Sequence, residues 1–361
     1  MTVAGAGGPT PGARGAAPPR AVTDAPPADR PVGVLAVNLG SPDAPDAPSL
    51  RRYLEEFLSD PRVVDWPRWL WLPILKGIIL RARPRKSAAL YQKVWTSEGS
   101  PLIVTSRQQA VLLQDRLGDG WRVVSAMRYG RPSIADGLRE LRRLGCETVV
   151  SLPLFPQYAE ATTGSVVARV DEVAAADPEL ARLDIRHVPP YPTDEGYLEA
   201  VAASVRATLD EHRDTEHIVF SFHGIPARVV EKKGDPYKEH CESTALALAL
   251  RLELEPGTWT QVYQSKFGPE RWLQPYATDA VPALASKAKK IIVACPGFIA
   301  DCLETVDEIG NELAEDFEAA GGEKLVLAPC VNTRPEWITA MVDLVKREVE
   351  HEAPHEEQVA V

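Results

Sequence analysis

Apolar positions along the chain fall into short continuous runs separated by longer stretches with helical spacing. Eight runs have the length and composition of buried strands: residues 32–37, 123–127, 148–152, 185–188, 218–222, 261–264, 291–294 and 325–327. Between them, residues 49–58 place Leu50, Tyr53, Leu54, Phe57 and Leu58 on one helical face. Residues 335–350 do the same with Trp337, Met341, Leu344 and Val345. Asp235 followed by Pro236 reads as an N-cap and a first-turn proline, opening the helix that carries residues 246–252. Strand–helix alternation of this kind predicts an α/β architecture, with parallel β-sheets flanked by helices.

The pattern also repeats. Leu39-Gly40-Ser41-Pro42 is answered by His223-Gly224-Ile225-Pro226, Arg128-Tyr129-Gly130 by Lys266-Phe267-Gly268, and Pro153-Leu154-Phe155 by Pro296-Gly297-Phe298. The order is kept, which predicts two similarly folded domains facing one another across a cleft. Residues 1–30 are mostly Ala, Pro and Gly and are expected to be a disordered extension. Residues 351–361 form a charged tail. The HExxH-like string from His351 to His355 carries no zinc-protease chemistry, because Pro354 breaks the helical turn that would align its histidines.

Composition narrows the chemistry. The formal net charge of −11 argues against a nucleic-acid partner. The five cysteines, with no CxxC pair, read as reduced thiols in a cytoplasmic protein. The start of the chain has no apolar signal core, and no run reaches the roughly 18 apolar residues of a spanning helix. Residues 66–80 are rich in Trp, Leu and Ile and lead into Arg81, Arg83, Arg85 and Lys86. Two readings stand for this segment: a core helix with a basic exit, or an exposed lip for a large apolar ligand or a membrane surface. Neither GxGxxG nor GxxxxGK[ST] is present, which disfavours dinucleotide and P-loop chemistry.

The candidate chemistry lies where two apolar runs end. One run stops at His223, followed by the chain break Gly-Ile-Pro. Taken alone, His223 reads equally as a core or turn histidine. A second run leads through Cys295-Pro296-Gly297-Phe298 to Asp301 and Glu304. Strand ends of an open α/β sheet share one edge, so an imidazole and carboxylates are expected to meet there. Glu304, Glu308 and Glu312 follow at helical spacing, with Val306, Ile309, Leu313 and Phe317 as the buried stripe. One histidine with one or two carboxylates suits a divalent metal that is held and then released, and His223 can also accept protons.

These residues resemble the ferrochelatase family. The resemblance rests on Ser-Phe-His-Gly-Ile-Pro at 221–226, Gln264-Ser265-Lys266-Phe267-Gly268 and the 296–305 stretch, with Asn38-Leu39-Gly40-Ser41-Pro42 and Pro156-Gln157-Tyr158 beside them. It spans about residues 32–348. The 57–65 stretch and the Trp-rich lip are similar to the bacterial protoporphyrin-using type. The resemblance implies two Rossmann-like domains, 31–190 (with the lip at 66–86) and 191–350, in a class II chelatase-like arrangement with porphyrin in the cleft. It implies insertion of Fe(II), as substrate, into protoporphyrin IX with loss of two protons, and no permanent cofactor. His223 and Glu304 would be catalytic and metal-contacting, with Asp301 and Glu308 extending an acidic path. Leu39, Arg128, Tyr129, Gln264, Ser265 and Lys266 would bind the porphyrin. Residues 66–80 would make peripheral membrane contact. Oligomeric state is left open.

Two departures are visible. The chain lacks the close cysteine cluster that holds a [2Fe–2S] centre in some relatives, so no cluster is expected. Cys302 stands where many relatives place a histidine. Alternatives remain in chelation of another tetrapyrrole (coproporphyrin with iron, or sirohydrochlorin with cobalt) and in a non-catalytic haem or porphyrin carrier.

Overall fold

A computed structural model describes residues 30–350. The expectations for the N-terminal extension and the charged tail, with its His351–His355 string, lie outside the described residues. All eight expected strands form: β1 Val32–Asn38, β2 Trp121–Met127, β3 Thr148–Pro153, β4 Asp184–His187, β5 His217–His223, β6 Trp259–Gln264, β7 Lys290–Ala294 and β8 Lys324–Leu327. They make two four-stranded sheets of order β2-β1-β3-β4 and β6-β5-β7-β8, with every pairing parallel. The second order is the first with four added to each number. The internal echo in the sequence is thus a repeated topology. In both sheets the strand bearing the Gly-x-Pro turn is central, so its C-terminal end opens at the middle of the sheet edge.

Central strands are buried on both faces and therefore read as unbroken apolar runs: β1 is buried throughout, and β5 is buried up to its last residue. One continuous apolar core runs from Val34 and Leu152 of the first sheet to Phe220 and Ile292 of the second. The final helix, Pro335–Glu350, is part of this junction. It packs on helices Pro101–Leu117 and Glu195–Glu211, with Trp337 fully buried and stacked on Tyr191. Gln109, on the first of these helices, donates to the carbonyls of Ile299 and Asn332 in the second half. The halves are therefore joined rigidly behind the sheet edges.

Three local expectations change. The helix read from Asp235–Pro236 starts at Tyr237. One Asp235 oxygen still accepts from the Tyr237 N–H at 3.0 Å, because Pro236 has none to offer, and the other accepts from Glu160 N–H in the first half at 2.9 Å. The lip is a helix Arg68–Ile74, a π-helical turn Leu75–Ile79 and a longer helix Leu80–Val94. Trp71, Leu75 and Leu80 are buried, while Trp69 is 79% and Ile78 64% exposed. One face of this segment is therefore core, and the other is an exposed apolar face with basic residues beside it. The glutamate ladder after Cys302 is not a continuous α-helix. Leu303–Val306 forms one turn, Glu308–Leu313 is π-helical, and Ala314–Ala319 returns to α geometry.

Candidate functional site

β5 carries His223 to the sheet edge. Its carbonyl accepts the Tyr237 hydroxyl at 2.8 Å, and its ring meets Phe298 edge-on at 6.3 Å between centroids. The next residue must lack a side chain. A Cβ on Gly224 would stand 2.9 Å from the Gln264 carbonyl oxygen and 3.1 Å from the Trp272 ring. Gly40, at the matching place after β1, has φ +111° and would put a Cβ 1.8 Å from the Tyr129 carbonyl oxygen.

β7 leads through the Pro296-Gly297-Phe298 turn to the short helix bearing Glu304. Asp301 braces the loop before it. Its carboxylate accepts from Asn332 Nδ2 at 2.6 Å, the Cys330 N–H at 3.1 Å and Thr305 Oγ1 at 3.4 Å. Cys302 caps the turn: its sulfur accepts from the Thr305 N–H, while Thr305 Oγ1 accepts from the Cys302 N–H at 3.0 Å. Gln264 Nε2 donates to the Glu304 carbonyl at 2.8 Å and fixes the middle of the turn.

The Glu304 carboxylate faces four groups that feel its charge: Tyr53 and Tyr91 from the first half, and Cys302 and His223 from the second. Burial, with this carboxylate added, holds both phenols far above their ordinary range. Burial likewise raises the Cys302 thiol, which stays protonated and hydrogen bonds to Glu304. Burial lowers His223 below its ordinary 6.5, with the Glu304 charge acting the other way. A neutral imidazole therefore lies within electrostatic range of the Glu304 carboxylate at the edge of the second sheet, as do two neutral phenols from the first half. A neutral imidazole can take up a proton or donate a lone pair to a metal, and the carboxylate can hold a divalent cation.

Glu308 turns away from Glu304 toward Ser265. It accepts from the Ser265 N–H at 2.6 Å and its hydroxyl at 2.5 Å, and burial raises its pKa above the ordinary 4.5 despite those hydrogen bonds. Ser265 sits at φ +63°, which aims its N–H at this carboxylate. Gln264 is almost fully buried and ties Ser221, Glu304 and Glu308 together. Leu39 is partly exposed and packs on the lip cluster of Tyr53, Trp71 and Tyr129. Lys266 is exposed, its ammonium 4.1 Å above the Tyr276 ring.

Arg128, Tyr129, Gln264 and Asp301 all have polar partners within the protein. Arg128 and Tyr129 are committed to Asp60. The Arg128 guanidinium pairs with the Asp60 carboxylate and also reaches Ser165. The Tyr129 hydroxyl, fully buried, donates to the same carboxylate at 2.9 Å. Burial pushes the Asp60 carboxyl up, but the Arg62 N–H, Tyr129, Ser165 and Arg128 outweigh it and hold it below the ordinary range. A buried, charge-compensated hub of this kind anchors the base of the lip and offers no free cation to a ligand. Gln264 hydrogen bonds with Ser221, the Glu304 carbonyl and Glu308, and Asp301 with Asn332, the Cys330 N–H and Thr305. Lone-residue reading could not tell a cleft cation from a buried one. Tyr91 carries no motif of its own, Tyr53 reads only as part of a helical face, and Asp60 lies in the 57–65 stretch without a role that its spacing assigns. Two surface cavities, one at Arg139 and Arg169 and one at Leu246 and Leu250, lie away from His223.

Residues 31–349 match the family model described as Ferrochelatase. Curated relatives named Ferrochelatase include that of Azoarcus sp. (strain BH72), 48% identical over 88% of this chain and 87% of its own length. That of Thioalkalivibrio sulfidiphilus (strain HL-EbGR7) is also 48% identical, over the same shares. Among solved structures, the sirohydrochlorin chelatase SirB from Bacillus subtilis subspecies spizizenii in complex with cobalt superimposes with TM-score 0.51. At 12% identity, over 89% of this chain and 97% of that one, it shows a shared fold.

Proposed function

This chain belongs to the ferrochelatase family, and we propose that it inserts Fe(II) into protoporphyrin IX, forming protohaem and releasing the two pyrrole protons. The observation that carries the reading is that His223, at the end of β5, and Glu304, after β7, come together electrostatically at one edge of the second sheet, with Tyr53 and Tyr91 of the first half in range of the same carboxylate. One divalent iron replaces two N–H protons, so the reaction needs a base and a place for the incoming charge. The neutral His223 supplies the base, and Glu304 supplies the charge partner.

A flat macrocycle keeps its nitrogen lone pairs in the ring plane, where a metal reaches them slowly. Contacts made by the rest of the ring can hold it bent and expose those lone pairs. Leu39 and the lip offer such contacts. The lip presents Trp66, Trp69, Leu70 and Ile78 to solvent, and Arg128 is already neutralised by Asp60. An oily wall favours the porphyrin with vinyl groups and two propionates over one with four. The same exposed face, with Arg68, Lys76, Arg81 and Arg85 beside it, suits peripheral contact with an anionic lipid surface. No helix among the described residues is long and apolar enough to cross a membrane.

The deciding experiment is anaerobic incubation with Fe(II) and either protoporphyrin IX or coproporphyrin III, followed by absorbance. Faster metallation of protoporphyrin is expected. Preference for coproporphyrin would reassign the substrate, and porphyrin binding without metallation would make the protein a carrier. Co-sedimentation with anionic vesicles, lost on Trp69→Ser with Ile78→Ser, tests the lipid contact.

A further inference from the structure

The turn that presents Glu304 is anchored at several points. Asp301 and Cys302 fix its start, and Gln264 fixes its middle. All of these anchors belong to the second half. Its end, Asp307, is held from the first half: Lys93 Nζ lies 3.2 Å from both carboxylate oxygens. Asp307 is 2% exposed and is the junction between the α turn and the π turn. Its N–H donates to the Leu303 carbonyl, and its own carbonyl accepts from both Asn311 and Glu312 N–H. Asn311 Nδ2 completes the carboxylate at 3.0 Å.

Lys93 stands on helix Leu80–Val94, the last part of the lip. That helix packs directly on Leu303–Val306 and also supplies Tyr91, which faces Glu304. The lip, or Asp65 just before it, touches the other two strand-end segments as well. Asp65 pairs with Arg228 and Lys233 on the helix after His223, and Arg83 lies 4.2 Å over the Phe267 ring after Gln264. Each segment that carries a site residue of the second sheet is thus touched by the lip or by Asp65.

We propose that Lys93 is a positioning residue for metal insertion: through Asp307 it couples the place of the porphyrin lip to the place of the Glu304 carboxylate relative to His223. The proposal rests on the function given above. Its physical basis is an asymmetry of burial. The Lys93 side chain is half exposed and Asp307 is buried, so without the ammonium the carboxylate keeps only Asn311 Nδ2 as a side-chain partner, and the end of the Glu304 turn loses its one anchor from the first half. A displacement of a reacting group by about 1 Å costs on the order of a hundredfold in rate, so the loss of this anchor weighs on catalysis.

The test uses full-length protein with Lys93→Met, Lys93→Arg and the double variant Lys93→Met with Asp307→Asn, which removes the buried unpaired charge and keeps the fold intact. Metallation of protoporphyrin by Fe(II) and porphyrin binding by fluorescence are measured side by side. Lys93→Met is expected to lower kcat about tenfold or more with the porphyrin dissociation constant unchanged within twofold, and Lys93→Arg to recover most of the loss. The double variant should melt like the parent and stay slow. Recovery of kcat in the double variant, or a loss of kcat matched by a loss of porphyrin binding, would show that the pair only balances charge or supports the fold. An arm independent of activity follows the His223 ring C–H signal of the substrate-free protein by NMR, assigned with His223→Gln. It should move in Lys93→Met and in the double variant and return in Lys93→Arg. An unmoved signal in all three overturns the coupling. A parent protein that fails to metallate overturns the functional reading alone, because the NMR arm still reports on Lys93.

Discussion

After β1 the chain reads Leu39-Gly40-Ser41-Pro42, and after β5 it reads His223-Gly224-Ile225-Pro226. After β3 and β7, at an offset of 143, Thr162 and Thr305 both turn their Oγ1 back to the carbonyl three residues earlier, at 3.3 and 3.2 Å. The two halves share topology and turn position but not backbone detail: Gly40 has φ +111° and Gly224 does not lie at positive φ, and Glu160–Gly164 is π-helical where Leu303–Val306 is an α turn. The side chains at matching places differ as well: Leu39 stands where the second half has His223, and Ala161 where it has Glu304. At the first sheet edge Arg128, Tyr129 and Ser165 gather around one carboxylate, that of Asp60. At the second edge, backbone braces hold the turn that carries Glu304, whose charge reaches His223. On the function proposed above, one half of the repeat is a wall and the other a reactive face.

The largest expected effects test that division. His223→Ala and Glu304→Gln should each lower metallation by about two to four orders of magnitude, the range general acid–base groups supply, with porphyrin still bound. Leu39→Ala, at the position equivalent to His223, should do the opposite. It should weaken porphyrin binding by roughly tenfold through lost apolar contact and leave kcat nearly unchanged. If Leu39→Ala removed turnover while His223→Ala spared it, the assignment of wall and reactive face would be reversed.

Stability should divide the other way. Asp60→Ala leaves Arg128 buried without its carboxylate and should cost about 3–5 kcal/mol in urea unfolding. Glu304→Gln keeps its volume at a site built for turnover and should cost less than about 1 kcal/mol. Equal losses at the two positions would mean that Glu304 belongs to a structural network like that of Asp60.

The repeat explains what was legible in the sequence. Buried parallel strands announce themselves as apolar runs, and the paired Gly-Pro turns marked both sheet edges, so His223 and Glu304 could be found without coordinates. What stayed hidden depends on contacts between distant segments. Arg128 reads as a cation near a cleft until Asp60, 68 residues earlier, is seen to neutralise it. The spacing of Glu304, Glu308 and Glu312 predicts one helical face, but the π turn after Asp307 inserts a residue and swings Glu308 onto Ser265. Lys93 and Asp307 are 214 residues apart and belong to no motif, so only the fold pairs them.

The smallest effect is in pH, and it probes the balance at His223 alone. Burial lowers the pKa of this imidazole and Glu304 opposes it, with burial the larger influence. The folded value therefore lies below the unfolded 6.5, so between the two the unfolded chain binds more protons. Stability from this residue is present above 6.5 and is lost as pH falls through the folded value. Metallation should follow the same direction. It should be level from pH 8 to about 6.5 and then fall by up to about tenfold per unit as the base is protonated. A histidine titration by NMR should place the midpoint under 6.5, and Glu304→Gln should move it lower still by removing the one charge that favours imidazolium. A midpoint above 6.5 in the parent protein would mean that the carboxylate outweighs burial. His223 would then be largely protonated in mildly acidic solution and a poor acceptor for a pyrrole proton, and the second sheet edge would need another base.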